Sequence, residues 1–300
     1  MSRTEPVIAP SPIALRPDPW ADYQLIDSGG GRKLERYGAV TVVRPEAQCL
    51  WEPARPSEWD EAVAVFEGVE DEEAGRWRRR SQTPESWPMT WRGVSFHARL
   101  TAFRHLGLFP EQASNWAWLA DRLKVASSPP SVLNLFGYTG VASLVAATAG
   151  ARVTHVDASK KAVGWARENA ALSGLDQAPL RWICEDARAY VRREARRGSR
   201  YQGIILDPPK YGRGPGGEVW RLYEDLPPLL AGCAGLLSDE ADFVILNAYS
   251  ERLSGLALAS LLAQALAGRG GRIDWGELTL MESDGGRGMG LSFFARWGRS

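Results

Sequence analysis

The sequence predicts an α/β fold. We expect a doubly wound sheet of seven strands, parallel except for an antiparallel last strand, behind a small β-rich N-terminal domain. Three observations carry this. After Ser127-Ser128-Pro129-Pro130, short apolar strands alternate with single helices, the signature of βαβ units. The last two apolar runs are joined only by the glycine-rich Gly285–Gly290, too short for a crossover helix, so the final strand must turn back. From Trp20 to Pro88 the chain is rich in turn residues and short in helical periodicity.

Taken in order, residues 1–19 carry five prolines and read as a disordered or extended tail. Residues 20–125 form the β-rich region, a candidate for binding substrate. Its strands are expected at Tyr23–Asp27, Leu34–Tyr37 and Ala39–Arg44, with Ser28–Gly31 as a turn, and two more lie within Trp91–Phe109. The acidic run Glu67–Glu73 and the basic Arg76–Arg80 read as a solvated face or loop; a basic stretch holding Trp77 also suits a nucleic-acid edge. Pro110-Glu111-Gln112 opens a helix through Leu123.

Residues 126–300 form the alternating domain. Strands are predicted at Ser131–Phe136, Arg152–Val156, Leu180–Cys184, Gln202–Leu206, Phe243–Leu246, Ile273–Met281 and Leu291–Trp297. Helices are predicted at Gly140–Ala149, around Ala162–Ala170, and at Ala187–Arg197, Leu226–Leu237 and Leu256–Ala267.

Composition excludes several classes. Charged residues are 24% and apolar residues 44% of 300, which is globular, and 36 acids balance 36 bases, which rules out function through bulk positive charge. Five lysines stand against thirty-one arginines, a bias that suits phosphate contact as well as a GC-rich genome. Three scattered cysteines (49, 184, 233) without metal spacing argue against zinc and against a disulfide framework. No leader and no spanning apolar run is evident, so a cytoplasmic protein without membrane or metal is expected.

Doubly wound sheets bind ligands at the carboxyl ends of their strands. After the first strand stands Asn134-Leu135-Phe136-Gly137-Tyr138-Thr139-Gly140, whose glycines let the backbone approach a ligand closely. After the second stands Asp157-Ala158-Ser159; the acid suits ribose hydroxyls, with a helix cap as the other reading. After the third stands Glu185-Asp186-Ala187, which suits an adenine amine or a cap equally well. After the fourth stands Asp207-Pro208-Pro209-Lys210-Tyr211. Its prolines remove two backbone donors and leave carbonyls and a carboxylate as acceptors, suited to a polar base edge or an amine.

These four segments, in this order, resemble the class I S-adenosylmethionine-dependent methyltransferases. More narrowly, the chain from about residue 91 onward looks like the branch that includes the ribosomal RNA large-subunit cytosine-C5 methyltransferases and their bacterial relatives. Ile26–Gly38 (IDSGGGRKLERYG) with Arg44-Pro45-Glu46 is similar to the N-terminal part of one subfamily there. The resemblance implies a Rossmann-like sheet with S-adenosyl-L-methionine as cofactor. Gly137 and its neighbours would pack on the methionine part, Asp157 would hold the ribose, Asp186 with Ala187 the adenine, and Asp207 with the Pro208 carbonyl would line the substrate side. Gln112 would also reach the cofactor.

The chain departs from the C5 enzymes where it matters most. Attack on cytosine C5 needs a cysteine thiolate. The matching stretch, Asn247-Ala248-Tyr249-Ser250, has none, and the N-terminal region is too short for us to expect a PUA-type RNA-binding domain beside its extra strands. Asp207-Pro-Pro instead resembles the loop of enzymes that methylate exocyclic amines or ring nitrogens. There the fourth position is aromatic; here it is Lys210, so either Tyr211 stacks on the base or Lys210 meets phosphate. The expected activity is methyl transfer to a base nitrogen of ribosomal or other structured RNA by direct displacement. The alternatives are a protein side chain or small molecule as acceptor, and, more remotely, a dinucleotide oxidoreductase or a non-catalytic scaffold. Arg192, Arg193, Arg196, Arg197 and Arg200 read as a solvated helix face, and Gly212–Gly217 as a mobile flap over the substrate.

Overall fold

The computed structural model describes residues 5–68, 74–126, 128–249 and 252–299. The chain forms two compact units: one comprises Arg16–Ala113 and Thr279–Gly290, the other the residues up to Leu15, Ser114–Leu278 and Leu291 onward.

Two short strands open the chain, β1 (Val7–Ile8) and β2 (Ile13–Leu15). The first unit comes next. Its five-stranded sheet runs through β3 (Tyr23–Gly29), β4 (Arg32–Tyr37) and β5 (Val40–Pro45), and, after the one-turn helix α1 (Pro56–Trp59), β6 (Ala64–Glu67) and β7 (Arg76–Arg79), paired in that order. The basic Arg76–Arg79 is therefore an edge strand rather than a loop. Arg76 and Arg78 pair with Glu67, and Arg79 pairs with Glu85; residues 69–73 of the acidic run lie outside the described residues. A separate hairpin, β8 (Ser86–Trp91) and β9 (Val94–Arg99), starts earlier than the 91–109 window predicted for it. Alternation hides Trp87, Met89, Trp91, Val94, Phe96 and Ala98 on one face, which sets the register.

At the heart of this unit Glu35 is fully buried. It accepts two hydrogen bonds from the Arg44 guanidinium, at 2.7 and 2.8 Å, and further ones from Tyr23 and Tyr37. Burial alone would raise its carboxyl, but Arg44 and Lys33 overcome this and hold it at about 2.

The second unit is the alternating sheet. After α2 (Ala113–Lys124) come β10 (Ser131–Leu135), α3 (Val141–Thr148), β11 (Arg152–Asp157), α4 (Lys160–Leu172), β12 (Leu180–Cys184), α5 (Ala187–Arg197) and β13 (Gly203–Leu206). A hairpin, β14 (Tyr211–Arg213) with β15 (Val219–Arg221), leads into α6 (Leu222–Leu236), β16 (Phe243–Ala248), α7 (Gly255–Ala265), β17 (Arg272–Met281) and β18 (Gly288–Gly298). The order is β1-β17-β18-β16-β13-β10-β11-β12. β12, β11, β10, β13 and β16 are mutually parallel and β18 is antiparallel to β16, as expected.

Residues 5–15 correct the expectation of a free tail. Val7–Ile8 and Ile13–Leu15 both pair in parallel with β17, which extends the seven predicted strands to nine. Prolines at 10 and 12 only break the pairing between the two pieces. Strand residues sort by face: Leu133 and Leu135 enter the core cluster shared with α5, α6 and α7, whereas Asn134 faces α3 through Ser143. Helix α6 begins four residues before the predicted Leu226, because the Asp225 carboxylate accepts the Arg221 N–H at its start and secures the first turn ahead of Pro227-Pro228. Among the described residues no helix is long and apolar enough to cross a membrane.

Candidate active site

Strand order reverses direction between β10 and β13, so the loops leaving their carboxyl ends flank one crevice. The loop after β10 is held in an unusual conformation. Phe136 (φ 57°) and Tyr138 (φ 50°) both lie in the left-handed region, which bulky residues rarely enter outside functional sites. Three anchors hold it there. The Gly137 N–H donates to Val156 O at 3.1 Å, the Tyr138 N–H to Asp157 Oδ2 at 2.9 Å, and Asn169 Nδ2 to the Thr139 carbonyl at 2.9 Å.

The glycines also have an internal reason. A Cβ on Gly137 would stand 2.5 Å from His155 Nδ1, so the protein's own interior requires glycine here. Gly140 is the left-handed N-cap of α3 (φ 86°), where a Cβ would press on Ala166. Asn134 is likewise an interior residue. Its amide donates to Ser143 Oγ at 2.9 Å, and Ser143 lies 3.0 Å from Nδ1 of the fully buried His155. Burial pushes His155 down to about 3, so the ring is neutral.

Asp157, at the end of β11, is not the cap of α4; Ser159 is, accepting the Ala162 N–H at 3.2 Å. The Asp157 carboxylate spans two loops, taking the Ser159 N–H on Oδ1 (2.8 Å) and the Tyr138 N–H on Oδ2. Burial raises its carboxyl despite these two donors. Ala158 accepts the thiol of the exposed Cys184 at 3.6 Å, so that cysteine sits on the β11–β12 side. Asp186, by contrast, is the N-cap of α5: it takes the Ala189 N–H at 3.0 Å, and Ala187 behind it is buried. Arg188 binds both its oxygens, at 3.3 and 3.1 Å, and reaches Asp225 at 2.6 Å. Glu185 pairs with Arg193 and Glu194 with Arg197, which leaves Arg192, Arg196 and Arg200 exposed on the outer face of α5 and beyond it.

After β13, Asp207 is half-buried and Pro208 buried, while Pro209, Lys210 and Tyr211 are exposed. The structure ties this loop down through a residue that sequence reasoning missed. Trp220, 3% exposed, donates its indole N–H to the Pro209 carbonyl at 2.7 Å and packs on Phe136 with ring centroids 4.9 Å apart. The Arg188 guanidinium lies over the same indole. The stretch expected to be a mobile flap is thus the turn of a closed hairpin, with Gly214 and Glu218 bonded across its end. A tryptophan three residues beyond the glycine run was the available signal.

In the stretch expected to match the C5 nucleophile, Asn247 accepts a hydrogen bond from Asn115 at 2.9 Å; Ser250 lies outside the described residues. Cys233 is buried, and burial pushes its thiol up to about 12. Gln112 lies buried in the one-turn 3₁₀ helix Pro110–Gln112 of the other unit, to which the buried Cys49 also belongs. Among the described residues no group of His, Cys, Asp or Glu could hold a metal ion.

A sequence model of the S-adenosylmethionine-dependent methyltransferase family matches residues 42–250. The chain belongs to this family. The crystal structure of a SAM-dependent methyltransferase from Agrobacterium tumefaciens is 50% identical, with a TM-score of 0.95 over 100% of this chain and 97% of that one. A putative SAM-dependent methyltransferase from Streptococcus mutans shares the fold at 19% identity, TM-score 0.68, over 93% of this chain and 76% of its own. Among curated proteins, ribosomal RNA large subunit methyltransferase K/L of Shewanella frigidimarina is 33% identical over 52% of this chain. Methyltransferase K of Neisseria meningitidis is 26% identical over 78%. The chain spans 21% and 66% of the length of these two relatives.

The methyltransferase site fits a cationic cofactor carrying a ribose. Its strand ends present carboxylates, of which Glu185 and Asp186 are paired with Arg193 and Arg188 while Asp157 is held by backbone N–H groups, and a Phe136–Thr139 loop fixed by its own hydrogen bonds. S-adenosyl-L-methionine brings a methyl group on a sulfonium, a good leaving group.

Proposed function

We propose that this methyltransferase acts on a base nitrogen of structured RNA, ribosomal RNA being the foremost candidate. The observation that carries the reading is the Asp207-Pro208-Pro209 loop at the reversal of strand order. Trp220 ties down the Pro209 carbonyl and so fixes the loop; in this reading the Asp207 carboxylate and the Pro208 carbonyl would accept the N–H groups of an incoming base. Accepting those protons aims the nitrogen lone pair at the cofactor side, and positioning of this kind supplies most of what a direct displacement needs. The Phe136–Gly140 backbone with Asp157 would hold the methionine and ribose parts, Ala158 and Ser159 would border them, and Asp186 with Ala187 would border the adenine.

The names of the curated relatives support RNA as the substrate class. The absence of a cysteine at Asn247–Tyr249 favours nitrogen over cytosine C5, because a nitrogen lone pair needs no covalent activation. The test is transfer of a labelled methyl group to total RNA and total protein from a strain lacking the gene. Label should enter RNA and vanish with Asp207→Ala while cofactor binding persists. Label confined to protein overturns the RNA assignment, and full activity of Asp207→Ala overturns the role of the loop.

A further inference from the structure

The β14–β15 hairpin grows directly out of the Asp207-Pro-Pro loop, and its two faces differ. Trp220, opposite Gly212, pins the inner face to the body of the domain. The outer face carries Tyr211, Arg213 and Arg221, all exposed; Tyr211 is 52% exposed. Tyr211 and Arg221 are direct cross-strand partners, so their Cβ atoms stand about 5 Å apart. Arg213 lies beyond Tyr211 on the same face, about 7 Å along the strand. Lys210 is exposed at the near end.

The result is a flat phenol between cations, on a rigid two-stranded platform, one residue from the acceptor loop. An aromatic face stacks on any base, and flanking cations meet the phosphates on either side. Two acids stand beside Arg221. Asp225 takes its backbone N–H and is itself paired with Arg188. Glu224 pairs with the Arg221 guanidinium at 3.3 Å, but both side chains of that second pair are mostly exposed, and such a pair opens readily to a phosphate. The hydroxyl of Tyr211 is not required by this arrangement; its ring is.

We propose that the outer face of the β14–β15 hairpin docks a single-stranded RNA segment, with a base stacked on Tyr211 and phosphates on Arg213 and Arg221, beside the nucleotide presented to Asp207. This rests on RNA being the substrate.

The test measures binding of a fluorescein-labelled oligoadenylate to the full chain over a range of salt concentrations, with cofactor binding as the check of folding. Tyr211→Ala should weaken binding about tenfold or more, and Tyr211→Phe should restore it. The double variant R213Q/R221Q should lower the slope of log affinity against log salt by about 1.4, the expectation for two single-strand phosphates. Wild-type affinity and slope in all these variants, while the wild-type enzyme still labels RNA, overturn the hairpin proposal alone. Failure of the wild type to bind or label RNA overturns the RNA reading with it.

Discussion

Trp220 reaches from the second strand of the β14–β15 hairpin to the carbonyl of Pro209, 2.7 Å away, and lays its ring against Phe136 in the loop after β10. One side chain thus touches both the loop that would present the acceptor and the loop that would hold the cofactor. Rigid support of this kind fixes geometry, and catalysis depends steeply on geometry.

Replacing Trp220 with Phe keeps a ring against Phe136 and removes the bond to Pro209. We expect kcat to fall about tenfold or more with cofactor Kd nearly unchanged, because only the acceptor loop loses its tether. Trp220→Ala should add a core cavity and cost about 3–5 kcal/mol, read as a lowered urea midpoint. Equal losses in kcat and cofactor affinity for Trp220→Phe would show that the indole is packing alone.

Gly137 and His155 form a second testable pair. A methyl at Gly137 collides with an imidazole that has no room to move, so Gly137→Ala should destabilise by about 1–3 kcal/mol and weaken cofactor binding. Shrinking the ring relieves the collision: G137A/H155A should be more stable than the sum of the single variants predicts. Strict additivity in urea unfolding would mean that the loop, not the histidine, absorbs the strain.

The strand ends and their acids are legible in the sequence because parallel strands are continuous apolar runs, and the residues after each run are then forced to the same edge of the sheet. The features that escape a local reading depend on partners distant in sequence. Val7–Ile8 and Ile13–Leu15 are too short to declare themselves and become strands only against β17. Gly212–Gly217 looks unstructured because glycines mask the alternation of its three-residue strands, and Trp220, which closes it, lies beyond them. The internal contacts of Asn134 and Gly137 escape for the same reason: nothing local reveals the Ser143–His155 pair against which they pack.

Transfer to nitrogen has no use for a thiol. Cys184 is exposed and sits beside Ala158, on the β11–β12 side, while Cys49 and Cys233 are buried. Burial and the Glu46 charge hold Cys49 up at about 11. Cys184→Ser should therefore keep the rate of methyl transfer within about twofold, the effect of a surface substitution. Loss of transfer, or capture of RNA on the cysteine as a covalent adduct, would restore C5 chemistry.

Acid should weaken the protein in two stages. His155 and His105, one in each unit, are held neutral. Burial lowers His155 to about 3 and, with Arg44, Arg104 and Lys33 nearby, lowers His105 well below its usual value. Each binds a proton more readily unfolded than folded, so its contribution is complete above about pH 6.5 and declines as pH falls through that value. Each removes at most about 1.4 kcal/mol per pH unit. Glu35 enters later. Its folded value near 2 lies below the unfolded 4.5, so its support is present above pH 4.5 and drains away beneath it. Asp157 opposes the trend, since burial raises its carboxyl and protonation relieves that cost. Urea midpoints between about pH 7 and about pH 5 should fall in the wild type, fall less in His155→Gln or His105→Gln, and stay nearly level in the double variant. An equal fall in the double variant would place the sensitivity on the carboxylates, with the histidines as bystanders.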